Sequence, residues 1–275
     1  MTSVLGGSLL EVRPGRTLHV AALEQGAGTS VFFLHGGGGN KEQFRLLWEK
    51  LRGENLNLIA WDVPGHGGTP KSPDFAAYAG LALLADALVL VSRFGAARNI
   101  VVAHSLGTRT ALGLLTETPE RFAAAVLLGP PPPAFAATGK SGLFGPVLGR
   151  LPLPVLEVLR PLFAARFKKL AWGKSADPAL VDYEQDLTRN NTLFMMQALM
   201  AGVTVLDPAA LAKIPTPVTL LAGDEDGLTP PAAAESLAAL LPNASVTVLP
   251  GSGHQIMLEK PEQTLAAIRA ALAGG

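Results

Sequence analysis

The chain has 275 residues, of which 48% are hydrophobic and 16% are charged, and its 22 basic residues balance its 22 acidic ones. This length and composition suit one large domain, or one domain with an insertion, and argue against disorder. A neutral chain without a basic stripe is not expected to bind nucleic acid. The absence of cysteine excludes disulfide scaffolds, thiolate metal sites and a cysteine nucleophile.

Neither the amino-terminal residues nor the most apolar stretch of the chain indicates export or membrane insertion. Residues 1–15 lack the basic and apolar regions of a signal peptide. The most apolar stretch, residues 81–91, is interrupted by Asp86 and is shorter than the roughly 20 residues that span a bilayer. We therefore expect a soluble, cytoplasmic protein without stable membrane insertion.

Short apolar runs that end in glycine-rich turns alternate with longer helical patterns. Predicted strands cover residues 30–36, 56–65, 99–105, 124–129, 217–223 and 245–251, and predicted helices cover 41–51, 75–94, 108–116, 231–241 and 260–272. Residues 9–23, around the turn Pro14-Gly15, indicate an antiparallel hairpin. Continuous apolar strands that alternate with helices predict an α/β fold with a mostly parallel central sheet and helices on both faces.

One long segment interrupts this alternation. From Pro130 to about Ile214, roughly 85 residues contain no convincing strand, which is too long for an ordinary loop. We predict a core domain of residues 1–130 and 215–275, and a helical cap, or lid, of residues 131–214. Ligands of open α/β sheets bind at the carboxyl edge of the strands, which favours a cap over that edge. A helical decoration that only stabilises the fold is the alternative.

The strongest local motif is Ala103-His104-Ser105-Leu106-Gly107, which lies between a predicted strand and a predicted helix. A sharp strand-to-helix turn needs small neighbours, and it presents the Ser105 hydroxyl above the sheet at a helix amino terminus. Ser105 is therefore a candidate nucleophile. The alternative is that Ser105 only caps the following helix.

A serine nucleophile needs a base and an orienting acid. Of the five histidines, His254 follows the last predicted strand at the same sheet edge as Ser105, and it is the best candidate base. Asp224 and Asp226 both follow the preceding strand and compete for the role of the acid. The order serine, acid, histidine along the chain is a known order for such triads.

A run of four glycines, residues 36–39, follows the first predicted parallel strand. The run lacks the Lys-Ser/Thr of a phosphate-binding loop, and Glu42 stands where a dinucleotide-binding motif needs its third glycine. We expect the backbone N–H groups of Gly37 and Leu106 to form an oxyanion hole. A tight turn without a chemical role is the alternative, and we interpret the second glycine-rich turn, residues 62–67, as structural.

Together these motifs resemble the α/β-hydrolase family, in its serine hydrolase and carboxylesterase-like branch. The resemblance rests, in family order, on FFLHGGGG, DVPGHGGTP, VVAHSLG, LAGDEDGLTP and GSGHQIMLEKPE. It implies Ser105 as nucleophile, His254 as base and Asp226 as acid, since Asp226 fits the family pattern G-x-x-D-x-x-x-P. It also implies an oxyanion hole at Gly37 and Leu106 and a cap after the strand at 124–129. The nucleophile is serine rather than the aspartate of dehalogenases, and the turn is HGGGG rather than the HGGPG of proline iminopeptidases.

The predicted activity is cofactor-free and metal-free hydrolysis of small-to-medium carboxylic esters through an acyl-enzyme. Five residues of the predicted cap are candidate substrate contacts: Phe144, Phe163, Trp172, Phe194 and Met195. A C–C bond, a lactone or a thioester is an alternative substrate. A non-catalytic ligand-binding protein is a second alternative, and a lipid-surface enzyme that docks through the basic segment 153–169 is a third. The sequence leaves the oligomeric state open.

Overall fold

The computed structural model of the protein describes residues 4–135 and 153–274. In these ranges, eight strands form one sheet, numbered here in chain order: β1 Ser8–Arg13, β2 Arg16–Leu23, β3 Thr29–Leu34, β4 Asn57–Asp62, β5 Arg98–His104, β6 Ala124–Leu128, β7 Val218–Gly223 and β8 Ala244–Leu249. The strand order is β1-β2-β4-β3-β5-β6-β7-β8. The six strands β3 to β8 are parallel, and β2 is antiparallel to both β1 and β4. The predicted mostly parallel sheet and its amino-terminal hairpin are confirmed.

The helices of the described ranges cover both faces of this sheet. They are α1 Arg45–Leu51, α2 Gly80–Phe94, α3 Gly107–Glu117, α4 Leu153–Ala171, α5 Pro178–Thr188, α6 Leu193–Ala201, α7 Pro208–Leu211, α8 Pro231–Ala238, α9 Ile256–Glu259 and α10 Pro261–Ala273. Successive side chains of a strand point to opposite faces, so Phe32 belongs to the core cluster that includes residues of α2, α3 and α8, while Phe33 belongs to the cluster that includes residues of α1, α9 and α10. The central strands are therefore buried on both faces.

Two predicted helices are each divided into two elements. Residues 75–94 form a 3-10 helix, Phe75–Tyr78, followed by α2, because Ala79 is extended at ψ 140°. The Gly80 N–H donates to the Gly202 carbonyl at 2.7 Å, so this break is fixed by a distant part of the chain. Residues 41–51 similarly begin as a 3-10 helix, Lys41–Phe44, and continue as α1.

The segment between β6 and β7 contains α4 to α7, and none of its described residues is in a strand. We call this segment the insertion. Its helices lie above the carboxyl ends of the parallel strands, where α4 residues line a cavity together with Ser105. Within the described part of the chain, no helix combines the length and apolar character needed to cross a bilayer.

A buried ion pair explains the buried charge in the apolar helix α2. Asp86 is 1% exposed and accepts from the guanidinium groups of Arg13 at 2.7 Å and Arg16 at 2.6 Å. Both arginines belong to the β1–β2 hairpin. The carboxylate therefore fastens this hairpin, at the edge of the sheet, to the helix beneath it.

Replacing Asp86 with alanine should lower the free energy of unfolding by about 3 kcal/mol, because it leaves two guanidinium groups without their buried partner. Urea unfolding followed by circular dichroism measures the change. Asp182→Ala is the matched control, since Asp182 forms only an exposed pair with Lys168 and its loss should cost under about 1 kcal/mol. Equal losses in both variants would contradict the structural role of Asp86.

Candidate active site

Ser105 lies in a strained turn between β5 and α3. Its φ is +49°, and it is the only non-glycine residue of the described ranges with a positive φ. The turn is closely packed, since a Cβ at Gly36 would lie 2.8 Å from the Ser105 Cβ, and a Cβ at Gly107 would lie 2.6 Å from the Leu34 carbonyl oxygen. Strain of this kind persists only where the surrounding structure enforces it, and it is concentrated at functional sites.

His254 and Asp226 form a buried pair. The His254 Nδ1 lies 2.7 Å from the Asp226 Oδ2, and the two residues are 3% and 4% exposed. The Asp226 Oδ1 accepts from the backbone N–H groups of Leu228 at 2.8 Å and Thr229 at 2.9 Å. Burial raises the pKa of Asp226, but the facing imidazole and these hydrogen bonds outweigh burial and leave the pKa below its ordinary value. The carboxylate is therefore ionised and oriented toward the ring.

Asp224, the competing acid, faces a different group. Its Oδ1 accepts from the Gly251 N–H at 2.7 Å and lies 3.4 Å from the Ser252 nitrogen. These two residues open the loop that carries His254. Asp224 therefore supports the backbone of this loop, whereas Asp226 meets the imidazole itself.

Ser105 and His254 line the same cavity, but no hydrogen bond joins the Ser105 hydroxyl to the imidazole in the described part of the chain. The structure thus brings together the predicted base and acid, and places the predicted nucleophile beside them. A hydrogen bond between a nucleophile and its base is often long in the absence of substrate and shortens in the reacting complex.

Thr229 contacts the histidine and the acid, although no sequence motif marks it. Its hydroxyl oxygen is 2.8 Å from the Asp226 Oδ2, 3.1 Å from the Gly129 carbonyl oxygen and 3.0 Å from the His254 Nδ1. Its one proton can go to the carboxylate or to the carbonyl. The bond to the carboxylate lies within the loop after β7 that carries Asp226, which we call the acid loop. The bond to the Gly129 carbonyl ties this loop to the end of β6.

His104 also supports His254, although the motif around Ser105 suggested only a structural role for it. The His104 Nε2 lies 2.9 Å from the His254 carbonyl oxygen, and the two rings are 4.6 Å apart. Burial and the neighbouring His254 hold the pKa of His104 well below its ordinary value, so its ring is neutral. A neutral ring that donates from Nε2 fixes the backbone of His254.

The end of α4 is bonded to the loops of both the acid and the histidine. The His254 N–H donates to the Ala171 carbonyl at 2.8 Å, and the Gly227 N–H donates to the Leu170 carbonyl at 2.9 Å. Glu259 accepts from the Gly173 N–H at 2.8 Å and from the Gly253 N–H at 3.1 Å. The insertion therefore helps to fix the position of the imidazole.

The two residues of the predicted oxyanion hole lie at the cavity. Gly37 and Leu106 both line it, and neither of their N–H groups donates to another group in the described ranges. The next N–H of the turn, that of Gly38, donates to the His66 Nε2 at 3.0 Å. Burial and the adjacent His35 lower the pKa of His66 to about 3, which keeps this ring neutral and able to accept. The turn interpreted as structural, residues 62–67, therefore contacts the predicted oxyanion turn directly.

The cavity above Ser105 has a volume of about 740 Å³. Its apolar wall is formed by residues of the insertion and of the acid loop, namely Phe135, Phe167, Trp172, Leu193, Met196, Met200 and Leu228. Basic side chains of the insertion also line it, namely Arg160, Arg166, Lys168 and Arg189. Of the five predicted substrate contacts, Trp172 is part of the cavity wall.

Phe194 and Met195, by contrast, do not line the cavity. The Phe194 ring packs edge-on against Phe75 at 4.8 Å, and Met195 is fully buried in the same cluster. The side of α6 that reaches the cavity carries residues at helical spacing, Leu193, Met196 and Met200. Phe144 and the side chain of Phe163 lie outside the described residues.

In the described ranges, no group of three or more histidine, aspartate or glutamate side chains is arranged to hold a metal ion.

Comparison with known proteins identifies the family. Residues 31–268 match the model of the alpha/beta hydrolase family, and the chain belongs to this family. Protein ABHD8 of Mus musculus is 26% identical over 259 residues, which are 91% of this chain but 58% of that protein. The pimeloyl-(acyl-carrier protein) methyl ester esterase of Neisseria meningitidis serogroup B is 27% identical over 256 residues, 89% of this chain and 93% of the relative.

Solved structures show the same fold. The esterase EaEST from Exiguobacterium antarcticum superimposes with a TM-score of 0.81 at 18% sequence identity, covering 97% of this chain and 99% of that one. The predicted α/β-hydrolase fold and family resemblance are thus confirmed.

Proposed function

We propose that the protein is a serine hydrolase that cleaves carboxylic esters through an acyl-enzyme. The observation that carries this proposal is the convergence of three features on one cavity. These are the hydroxyl of Ser105 in its strained turn, the His254–Asp226 pair at 2.7 Å, and the two N–H groups of Gly37 and Leu106.

In the proposed reaction, the Ser105 oxygen attacks the carbonyl carbon of the ester while the His254 Nε2 takes the hydroxyl proton. Asp226 holds the ring through Nδ1 and stabilises the imidazolium that forms. The N–H groups of Gly37 and Leu106 donate to the oxyanion, where each such donor contributes about 3 kcal/mol to lowering the barrier. The imidazolium then protonates the leaving alcohol, and a water molecule activated by His254 hydrolyses the acyl-enzyme.

The cavity supports small-to-medium esters as the substrate class. Its volume of about 740 Å³ falls in the range of small-molecule sites, and aromatic and aliphatic side chains such as Phe167 and Trp172 line it together with polar and charged ones. The Neisseria relative is named as a methyl ester esterase, and the structural neighbour EaEST is named as an esterase. We further propose that residues 131–214 act as a cap that covers this cavity and encloses the bound ester.

A panel of p-nitrophenyl esters with acyl chains from two to twelve carbons tests this proposal, alongside a thioester and a lactone. We expect the highest kcat/KM for one of the shorter or intermediate esters, and labelling of Ser105 by a fluorophosphonate probe. Labelling without turnover of any ester would redirect the proposal to a thioester, a lactone or a C–C bond. A protein that neither labels nor turns over any substrate would contradict the enzymatic proposal and favour a ligand-binding role.

A further inference from the structure

The peptide groups of Gly38 are held from two sides by residues distant in sequence. The Gly38 N–H donates to the His66 Nε2 at 3.0 Å, as described above. The Gly38 carbonyl accepts a hydrogen bond from the side-chain amide of Asn191. Asn191 belongs to the insertion and lies between α5 and α6, whereas His66 belongs to the core. Gly38 is thus bonded to the core on one side and to the insertion on the other.

The insertion also contacts the glycine turn at this point. Gly38 has a φ of +77°, and a Cβ there would lie 3.4 Å from the sulfur of Met196, a residue of the insertion. On the core side, a Cβ at Gly37 would lie 2.7 Å from the Leu106 side chain. The loop that carries Asn191 is itself braced, because the Asn190 carbonyl accepts from the Lys71 ammonium at 2.9 Å.

A run of four glycines has little intrinsic shape. Without Cβ atoms these residues reach most of φ/ψ space, and fixing each of them costs about 1–2 kcal/mol of conformational entropy. Hydrogen bonds at the edges of the turn must therefore determine where the Gly37 N–H points. In the described ranges, the Gly36 carbonyl accepts from the Gly39 N–H at 3.1 Å and lies 2.8 Å from the His35 Nδ1, while Gly38 bonds to His66 and Asn191.

We propose that Asn191 is a positioning residue through which the insertion sets the geometry of the oxyanion hole. This inference rests on the proposed function, since it assigns Asn191 a role in orienting the Gly37 N–H. Asn191 lines the cavity, and its side-chain amide donates to the Gly38 carbonyl rather than to Ser105, His254 or Asp226. It holds the Gly38 carbonyl, which fixes the peptide groups that follow Gly37, so the oxyanion hole is complete only when the insertion is docked on the turn.

The test compares Asn191→Leu, which removes the amide donor at similar volume, and Asn191→Asp, which places a carboxylate against the carbonyl. Asn190→Leu is the matched control, because the Asn190 contact comes from its backbone. We expect kcat for the best ester to fall about 10- to 100-fold in both Asn191 variants, with KM changed less than about 2-fold. Asn190→Leu should stay within about 2-fold of wild type. Asn191→Gln, which keeps the amide group, should recover part of the loss.

A second measurement separates positioning from a structural defect. A trifluoromethyl ketone forms an oxyanion with the serine, whereas an ether isostere of the substrate has no carbonyl to occupy the oxyanion hole. Binding of the ketone should weaken in parallel with kcat/KM, while binding of the ether should not change. Equal weakening of both ligands, an unchanged kcat, or an equal loss in Asn190→Leu would overturn the role of Asn191.

These outcomes are distinct from a failure of the proposed function. Fluorophosphonate labelling of Ser105 and ester turnover in the wild type establish the hydrolase, and the Asn191 variants are read only against that activity. A wild-type protein without labelling or turnover would refute the hydrolase. A fully active Asn191→Leu variant would refute only the positioning role.

Discussion

Replacing Ser105 with alanine should lower kcat for the best ester by about 10⁴- to 10⁶-fold, because the nucleophile is lost and the acyl-enzyme cannot form. The oxyanion donors and the cavity remain, so a residual rate above the uncatalysed reaction is expected. KM should change little, since the hydroxyl contributes little to ground-state binding. Steady-state kinetics with a p-nitrophenyl ester and loss of fluorophosphonate labelling measure the effect.

Ser236→Ala is the control for this substitution. Ser236 lies on α8, and its hydroxyl donates to the Ala233 carbonyl at 2.8 Å, away from the cavity. This variant should keep its labelling and its turnover within about 2-fold of wild type. Near-normal turnover by Ser105→Ala would instead show that another group is the nucleophile and would end the proposed mechanism.

Asp226→Asn should reduce kcat by about 10⁴-fold, the size seen when an orienting aspartate is changed to asparagine in a triad. The neutral amide no longer stabilises the imidazolium. It can also present its NH₂ group to the His254 Nδ1, which favours the wrong tautomer of the ring. The Leu228 and Thr229 N–H groups can still bond to the amide oxygen, so the loop should keep its shape. Kinetics across the pH range, together with thermal unfolding, separate this loss from misfolding.

Asp224→Asn provides the matched comparison two residues away. Its amide oxygen can still accept from the Gly251 N–H, so we expect a loss of about 10-fold or less. The opposite ranking of the two variants would mean that Asp224 is the acid and that the 2.7 Å contact of Asp226 has no catalytic role.

Hydrophobic patterning predicts the sheet well because the central strands are buried on both faces. β5 has an uninterrupted apolar run from Ile100 to Ala103, and β6 is apolar throughout. The predicted bounds of both strands lie within one residue of the observed ones. Hydrophobic patterning does not predict the break of the helix 75–94 at Ala79. It is fixed by Gly202, which is more than 100 residues away in sequence and belongs to the insertion.

The same distinction applies to the candidate site. Residues at strand ends, such as Ser105 and His254, are predictable because parallel strands end at one edge. Asn191 is not, since 153 positions separate it from Gly38 and no local pattern marks it. Met195 and Met196 illustrate a second difficulty. α6 is apolar on every side, so its sequence cannot indicate which methionine faces the cavity and which faces the core.

The hydrogen bonds at the end of α4 limit which residues of this chain can be exchanged by engineering. Substrate preference could be changed in chimeras that exchange the insertion for that of a relative. If residues 170–173 were also replaced, the hydrogen bonds that hold the imidazole in position would be lost. A graft that retains these four positions keeps the carbonyl and amide groups that meet Gly227, His254 and Glu259. If the graft also retains Asn191, the exchanged part changes the cavity wall while the proposed oxyanion turn and the position of His254 keep their contacts.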